Sequence, residues 1–421
     1  MNEIYGGFSV DRPIYKAYAQ DSQERYLDMA MESASTQILS YREGAANEFK
    51  VQESIRKLFG KDGHKAAAIG GHPDFDYLEG SGGQARGYVV SLFVDIKGST
   101  KLGVVYSPEE VFWIKNQIIK CAIETVLAFD GHVHRIMGDA VLAFFRGKNT
   151  SPRDSAINAI NCGTYLVEFM RSVVSPRMKS FGVDDDVGIR VGIDYGKHDE
   201  VLWGMYGYAG SSEVTATSYH VDVAAKLQQK ASKNRVMVGQ ELVELLDLHD
   251  EVIGMKMSSG EPDRYVTPNY TDKDGRPKNY RQYVIQHEKY FNMLPKPGDR
   301  DLPIKITSEV VEENGALHKC SRCASAKVNI KFTAEFQIAG WGSGEVKVRF
   351  RVENHGKQAS AEKDFANHST EVLAVKGTDG RYRASNTEST AFIGLHYMFV
   401  SVLDASGRFF HPEQNFPVYI G

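Results

Sequence analysis

Two acidic residues stand where a carboxylate is costly. Asp95 closes the apolar run YVVSLFVDI (88–96), and Asp139 follows Gly138 between HVHRIM (132–137) and AVLAFF (140–145). A charge at the edge of a buried strand is unfavourable unless something compensates it. Asp139 alone reads equally as a plain turn residue, since Gly-Asp is common in tight turns. Two such acids at neighbouring strand ends point instead to a divalent-cation site, because Mg²⁺ takes a few carboxylates together with phosphate oxygens. The loop Lys97-Gly98-Ser99-Thr100 follows Asp95 directly and opens a helix. Small residues there let backbone N–H groups approach a phosphate, and a helix N-terminus favours anions. Gly98, Ser99 and Thr100 would equally suit an ordinary helix cap.

The elements that must hold these residues follow from the hydrophobic pattern. The run 88–96, rich in Val and Phe, has the signature of a buried central strand. Ser107-Pro108-Glu109-Glu110 opens a helix to about Phe129, with Ser as cap, Pro in the first turn and Glu110 able to complete a capping box. Gly138-Asp139 marks a tight hairpin between two strands. Ser151-Pro152 opens a helix to about Val174; VGIRVGIDYG (187–196) and VLWGMYG (201–207) read as strands. A helix from about Tyr219 to Ala231, strand RVMVG (235–239) and helix QELVELL (240–246) complete a βαββαββαβα order. That order predicts an α/β (α+β) fold with a mixed sheet and flanking helices.

Upstream, residues from about Asp21 to Phe59 read as helix, followed by a Gly-rich loop containing HPDFDYL (72–78). Downstream, Pro295, Pro297 and Pro303 mark a linker. Beyond it KVNIKFTAEFQI (327–338), EVKVRFRVEN (345–354) and LHYMFVSVLD (395–404) alternate with period two, which predicts a smaller all-β sandwich. The expected division is a helical segment and loop over 1–85, a catalytic domain over 86–294 and an all-β domain over 295–421.

Composition bounds the function. The chain has 421 residues, 42% hydrophobic and 25% charged, a globular mix that excludes general disorder. Lys+Arg 50 against Asp+Glu 54 gives a net charge of -4, against a nucleic-acid partner. The start MNEIYGGFSV lacks the basic and apolar regions of a signal peptide, and the apolar stretch Ala391 to Leu403 is too short for a bilayer. A cytoplasmic protein without a membrane partner is therefore expected. Cys121 and Cys162 read as core thiols. Cys320 and Cys323 form one C-x-x-C, which with His318 would still need a further zinc ligand, so a pair of free thiols is the plainer reading.

Taken together, FVDIKGST (93–100), GHVHRIMGDAVLAFF (131–145), VGIRVGIDYG (187–196) and VDVAAKLQ (221–228) resemble the class III nucleotidyl cyclase catalytic domain in order and spacing. The resemblance covers about Tyr88 to Leu246 and implies a head-to-tail homodimer with active sites at the subunit interface. It implies that one protomer supplies Asp95, the backbone carbonyl of Ile96 and Asp139 to two Mg²⁺ or Mn²⁺ ions, while the other supplies the residues that read the base and stabilise the transition state. Where adenylyl cyclases of this class read adenine with Lys, this chain has Arg135; at the second base-reading position it has Thr215. A guanidinium suits paired carbonyl acceptors such as those of uracil, the N3/O2 edge of cytosine, or guanine O6/N7; Arg135 can also be a sheet-face cation in a salt bridge. The family's Asn and Arg are replaced by Asp222 and Lys226: Lys226 can still place a positive charge near the phosphoryl group, Asp222 cannot donate as Asn does and would make a different contact, such as holding Lys226, and the two equally suit an ordinary helix-surface pair. Lys278, in YTDKDGRPKNYRQYVI (270–285), is the candidate triphosphate ligand.

The helical start with HPDF and the all-β C-terminus resemble the pyrimidine cyclases of bacterial Pycsar antiphage systems, whose C-terminal module is a sensor domain. This resemblance implies conversion of UTP to 3′,5′-cyclic UMP and pyrophosphate, with cyclic CMP from CTP, or a degenerate cyclase domain acting as a ligand sensor, as alternatives. The cyclic nucleotide would act on a separate effector protein.

Overall fold

A strand that is apolar on both faces must be covered on both, and Val89–Lys97 (β2) is placed accordingly. In the computed structural model it lies inside a seven-stranded sheet. The structure describes residues 1–6, 8, 49–61, 63–180, 187–208, 210–248, 250, 252–297, 302–311, 317–319, 323–324, 326–339 and 344–420. The strands that concern the site are Gln84–Arg86 (β1), β2, His132–Met137 (β3), Ala140–Phe145 (β4), Gly188–Gly196 (β5), Leu202–Tyr208 (β6), Ser211–Thr217 (β7), Arg235–Gly239 (β8), Ile253–Gly254 (β9) and Gln282–Ile285 (β10). The large sheet runs β3-β4-β2-β5-β8-β9 with β10 between the last two; β5 and β8 are parallel and the other pairs antiparallel.

Lys50–Leu58 (α1), Ser99–Val105 (α2), Pro108–Ala128 (α3), Pro152–Phe169 (α4), Tyr219–Lys230 (α5), Gln240–Leu246 (α6) and His287–Met293 (α7) are the principal helices. Ile118, Ala122 and Val126 of α3 and the buried face of α4 cover Val90, Leu92, Val94 and Ile96. On the other face, Val223 and Leu227 of α5 pack with Met237 and Tyr280. The expected capping box is present: Glu110 N–H donates to Ser107 Oγ at 3.3 Å, and Ser107 N–H to Glu110 Oε2 at 3.0 Å. Gly138 takes φ 66 in the β3–β4 turn, a conformation that favours glycine.

Two expectations need correction, one strand was not foreseen, and one expected helix is described only in part. The helix from Ser151 is α-helical only to Phe169; a wider turn over Met170–Val174 joins it to Ser175–Ser180, where Pro176 has no N–H to donate. The strand expected over 201–207 is β6, but it pairs with β1 and β7 in a separate three-stranded sheet. The partner β7, SSEVTAT, was not foreseen, because Val214 and Ala216 are its only apolar residues. Of the helix expected over 21–59, the described part is α1; residues 9–48 lie outside the described residues.

HPDFDYL forms a tight turn, Pro73–Leu78, that seals the small sheet against the large one. Phe75 stacks on Trp203 at 4.2 Å between centroids, Arg146 lies 4.3 Å over the Phe75 ring, and Trp203 Nε1–H donates to Gly87 O at 3.0 Å. Burying one such aromatic contributes roughly 1.5–3 kcal/mol.

Ile304–Val311 (β11), Asn329–Phe336 (β12), Val346–Glu353 (β13), His368–Leu373 (β14), Tyr382–Ser389 (β15), Gly394–Asp404 (β16) and Gln414–Ile420 (β17) build two five-stranded sheets together with shorter strands. Phe332, Phe336, Phe350, Val400 and Val418 share the core between them, so this region is a sandwich. It touches the large domain through Tyr419 OH, which donates to Leu246 O at 3.2 Å, and Lys357 N–H, which donates to Asp247 Oδ2 at 2.6 Å. Cys320 of the C-x-x-C lies outside the described residues, and Cys323 is described only as backbone in a short strand. Cys121 and Cys162 are buried free thiols. Among the described residues no helix is long and apolar enough to cross a membrane.

The N-terminal segment is pinned at one carboxylate. Asp130 sits at φ 62 after α3, with Arg56 Nη1 2.9 Å and Lys65 Nζ 2.6 Å from its Oδ1. Burial alone would raise its pKa, but Lys61 and Lys65 outweigh that and hold it far below the usual carboxylate range. Asp130→Asn keeps the backbone shape and removes the charge; it should cost about 1–3 kcal/mol in urea denaturation near neutral pH. A depressed carboxyl stabilises the fold above its unfolded value, so the gap between wild type and variant should close as pH falls below about 4.

Candidate active site

The site assembles where β2 leaves the sheet. Asp95 is opposite Ala140 on one side and Arg190 on the other, so Asp139, one residue before Ala140, stands at the adjacent strand end. The ladder to β4 stops at Asp95, leaving Ile96 a ladder partner only on the β5 side, Ile189. The side chain of Ile96 is buried in the core, so its backbone carbonyl is the group available to a ligand.

The two carboxylates at this end have different partners. Asp95 points towards α5: Arg190 pairs with its Oδ2, and Gln228 Nε2–H donates to the same oxygen at 3.2 Å. Among the described residues no hydrogen bond or ion pair goes to Asp95 Oδ1. Asp139 turns towards α3, where Lys115 Nζ lies 3.8 Å from Oδ2, and shares a small apolar cavity with Val94, Ile96 and Ile118. The acids therefore flank the strand end on adjacent strands without touching. Two carboxylates and one backbone carbonyl are hard oxygen donors, suited in type and number to Mg²⁺ or Mn²⁺ that also binds phosphate. Arg190 and Gln228 were missed in the sequence, although an arginine inside the apolar VGIRVGIDYG was a visible signal.

Beside Asp95, Gly98 at φ 89 turns the chain into α2; Ser99 is buried and Thr100 exposed. Only Gly98 has a conformation that a larger residue would disturb.

Helix α5 carries Asp222, Lys226 and Gln228. Asp222 is exposed and Lys226 half-buried, with its Nζ 5.8 Å from the Tyr270 ring centroid. No ion pair joins Asp222 to Lys226, so the pairing that their spacing allowed is not made. Lys278 reaches the same region: its Nζ lies 4.5 Å over the Tyr219 ring, and Lys278 N–H donates to Tyr270 O at 2.6 Å. Tyr219 and Tyr270 thus bring two cations to one side of α5.

A buried network invisible in the motif pattern fixes the start of α5. Ser218 caps it by accepting from His220 N–H at 3.2 Å. His220 Nδ1 lies 2.9 Å from Asp194 Oδ2, and Tyr280 OH donates to Asp194 Oδ1 at 2.9 Å. Burial alone would lower the His220 pKa, but its bond to Asp194 outweighs this and raises it. An acid inside VGIDYG was the one clue.

The base-reading candidates do converge. Arg135 on β3 pairs with Glu213 on β7, its Nε–H donating to Oε1 at 3.1 Å, and Thr215 Oγ1 lies 2.9 Å from His134 Nε2. Glu213 had no sequence signal, because its strand had none.

Residues 83–267 match the adenylate and guanylate cyclase catalytic domain family, and residues 281–421 match the adenylyl/guanylyl and SMODS C-terminal sensor domain family. A cytidylate cyclase of Escherichia coli is 41% identical over 405 residues, covering 92% of this chain and 87% of its own. A second from Escherichia coli is 35% identical, covering 84% of each chain. One from Staphylococcus aureus is 34% identical, covering 85% of this chain and 84% of its own.

Gly192 on β5 lets α5 lie against the sheet: a Cβ there would sit 2.2 Å from Gln228 N and 2.3 Å from Ala224 O. Backbone cannot yield as a side chain does, so Gly192→Ala should cost about 3 kcal/mol or more in urea denaturation. Gly103→Ala, where a Cβ meets nothing within 4 Å inside α2, should be neutral or slightly stabilising.

Proposed function

As the chain belongs to the class III nucleotidyl cyclases, in the Pycsar-type group that joins this catalytic domain to a C-terminal sensor domain, we propose that it converts CTP to 3′,5′-cyclic CMP and pyrophosphate. The observation that carries the choice of base is the likeness, along most of the chain, to three cytidylate cyclases. It favours the CTP alternative over the UTP reading, between which Arg135 alone does not decide.

In this reading the ribose 3′-oxygen attacks the α-phosphorus in line; the bond to the pyrophosphate oxygen breaks and the hydroxyl proton is lost. Asp95, Asp139 and the carbonyl of Ile96 would hold two Mg²⁺ or Mn²⁺ ions. When bound, such ions supply a lowered pKa for the 3′-hydroxyl and charge neutralisation on the triphosphate. Arg190 and Gln228 keep Asp95 oriented through one oxygen, leaving the other to a ligand. Lys226 places a positive charge where the phosphoryl oxygens gain charge, and Lys278 neutralises the triphosphate. Asp222 is exposed at the same helix face and would face the ribose. Gly98, Ser99 and Thr100 offer backbone N–H groups to phosphate.

A head-to-tail homodimer completes each site, one protomer giving Asp95, Ile96 and Asp139, the other Arg135, Thr215, Asp222 and Lys226. The product serves as a second messenger in antiphage defence, acting on a separate effector.

Purified chain incubated with Mn²⁺ and each of the four ribonucleoside triphosphates should yield cyclic CMP from CTP, identified by mass. Predominant cyclic UMP would return the substrate to UTP, and no cyclic product from any triphosphate would favour a degenerate, ligand-sensing domain. Asp95→Ala and Asp139→Ala should each abolish product while the circular dichroism spectrum is retained. Lys226→Ala should lower kcat about a hundredfold with little change in KM, as expected of a charge that acts mainly in the transition state; an unchanged kcat removes that role.

A further inference from the structure

Alternation along a strand puts residues two apart on the same face, so Glu213 and Thr215 of β7 point the same way. They meet His134 and Arg135 of β3, a strand of the other sheet. Glu213 takes both Nε–H and Nη2–H of Arg135, and its Oε1 is 3.0 Å from His134 Nε2. Thr215 Oγ1 approaches the same His134 nitrogen, whose ring is held on its far side by Nδ1–H donating to Gly70 O at 2.8 Å. Glu213 is thus held by Arg135, yet its side chain and that of Arg135 remain partly open, 33% and 43% exposed.

This changes what the patch can read. A lone guanidinium offers donors only and suits any base edge with two acceptors. Five N–H groups less the two given to Glu213 leave three for a ligand. Beside them now stands a carboxylate, which only accepts. The patch therefore presents an acceptor next to donors.

Cytosine presents the complement: the N4 amino group donates, while N3 and O2 accept. Uracil inverts the first two positions, with O4 accepting and N3–H donating. A carboxylate accepting from cytosine N4 is a recognised pairing in nucleic-acid readout. The same carboxylate against uracil O4 sets lone pairs against lone pairs, so the selectivity contains a repulsive element as well as an attractive one.

We propose that Glu213, held by Arg135, selects cytosine over uracil: it accepts from the N4 amino group while Arg135 donates to N3 and O2. This rests on the reading of CTP as substrate and adds the residue that enforces it. Thr215 and Gly70 fix the His134 ring beside this pair.

The test uses the full chain with Mn²⁺. The ratio of kcat/KM for CTP to that for UTP is measured in wild type, Glu213→Gln and Glu213→Ala. In parallel, 3′-deoxy-CTP and 3′-deoxy-UTP, which lack the attacking hydroxyl, are titrated by calorimetry, so selectivity is read even where turnover is lost. The cytosine-to-uracil ratio should fall about tenfold or more in both variants, in turnover and in Kd. Glu213→Gln should also gain uridine affinity, because its amide N–H can donate to O4. A ratio within about twofold of wild type in both variants overturns the role of Glu213 while leaving the cytidylate reading in place. A wild type that cyclises UTP and not CTP overturns the cytidylate reading itself, whatever the variants do.

Discussion

The arrangement depends on keeping a charged carboxylate at the end of an apolar strand. Asp95 stands beyond Phe93 and Val94 with little water around it, and an isolated charge there would be strongly destabilising. Arg190, directly opposite on β5, supplies the compensating cation, and Gln228 adds a hydrogen bond from α5. One oxygen of Asp95 therefore joins three elements: the central strand, its neighbour and the helix bearing Lys226. The close approach of α5 that this requires is possible because Gly192 has no side chain.

The same helix is fixed a second time at its N-terminus by Asp194, His220 and Tyr280. Two acids on one strand pair, the half-buried Asp95 and the buried Asp194, thus hold the two ends of α5. Its position relative to β2 is set by polar contacts at both ends and by Val223 and Leu227 between them.

Much of this was legible in the sequence. The unbroken apolar run of β2, the Gly138-Asp139 turn and the Ser107–Glu110 capping box are local signals, and each produced the expected element. The period-two runs beyond Pro303 produced the sandwich strands. What could not be read was decided by partners distant in the chain. β7 has too few apolar residues to announce itself and is a strand because β6 lies beside it. The pairing of Arg135 with Glu213 spans two sheets, and the partner of Asp95 follows only from strand register. Spacing alone allowed an Asp222–Lys226 pair, but Lys226 lies over Tyr270 instead.

The hairpin of β6 and β7 is an excursion between β5 and α5, laddered to β1 and not to the seven-stranded sheet. Its cross-strand bonds can therefore absorb new side chains without shifting the register of the strands behind it. In the reading proposed above, the carboxylate that selects the base thus stands on a strand outside the main ladder, where it can be exchanged while that ladder stays as it was.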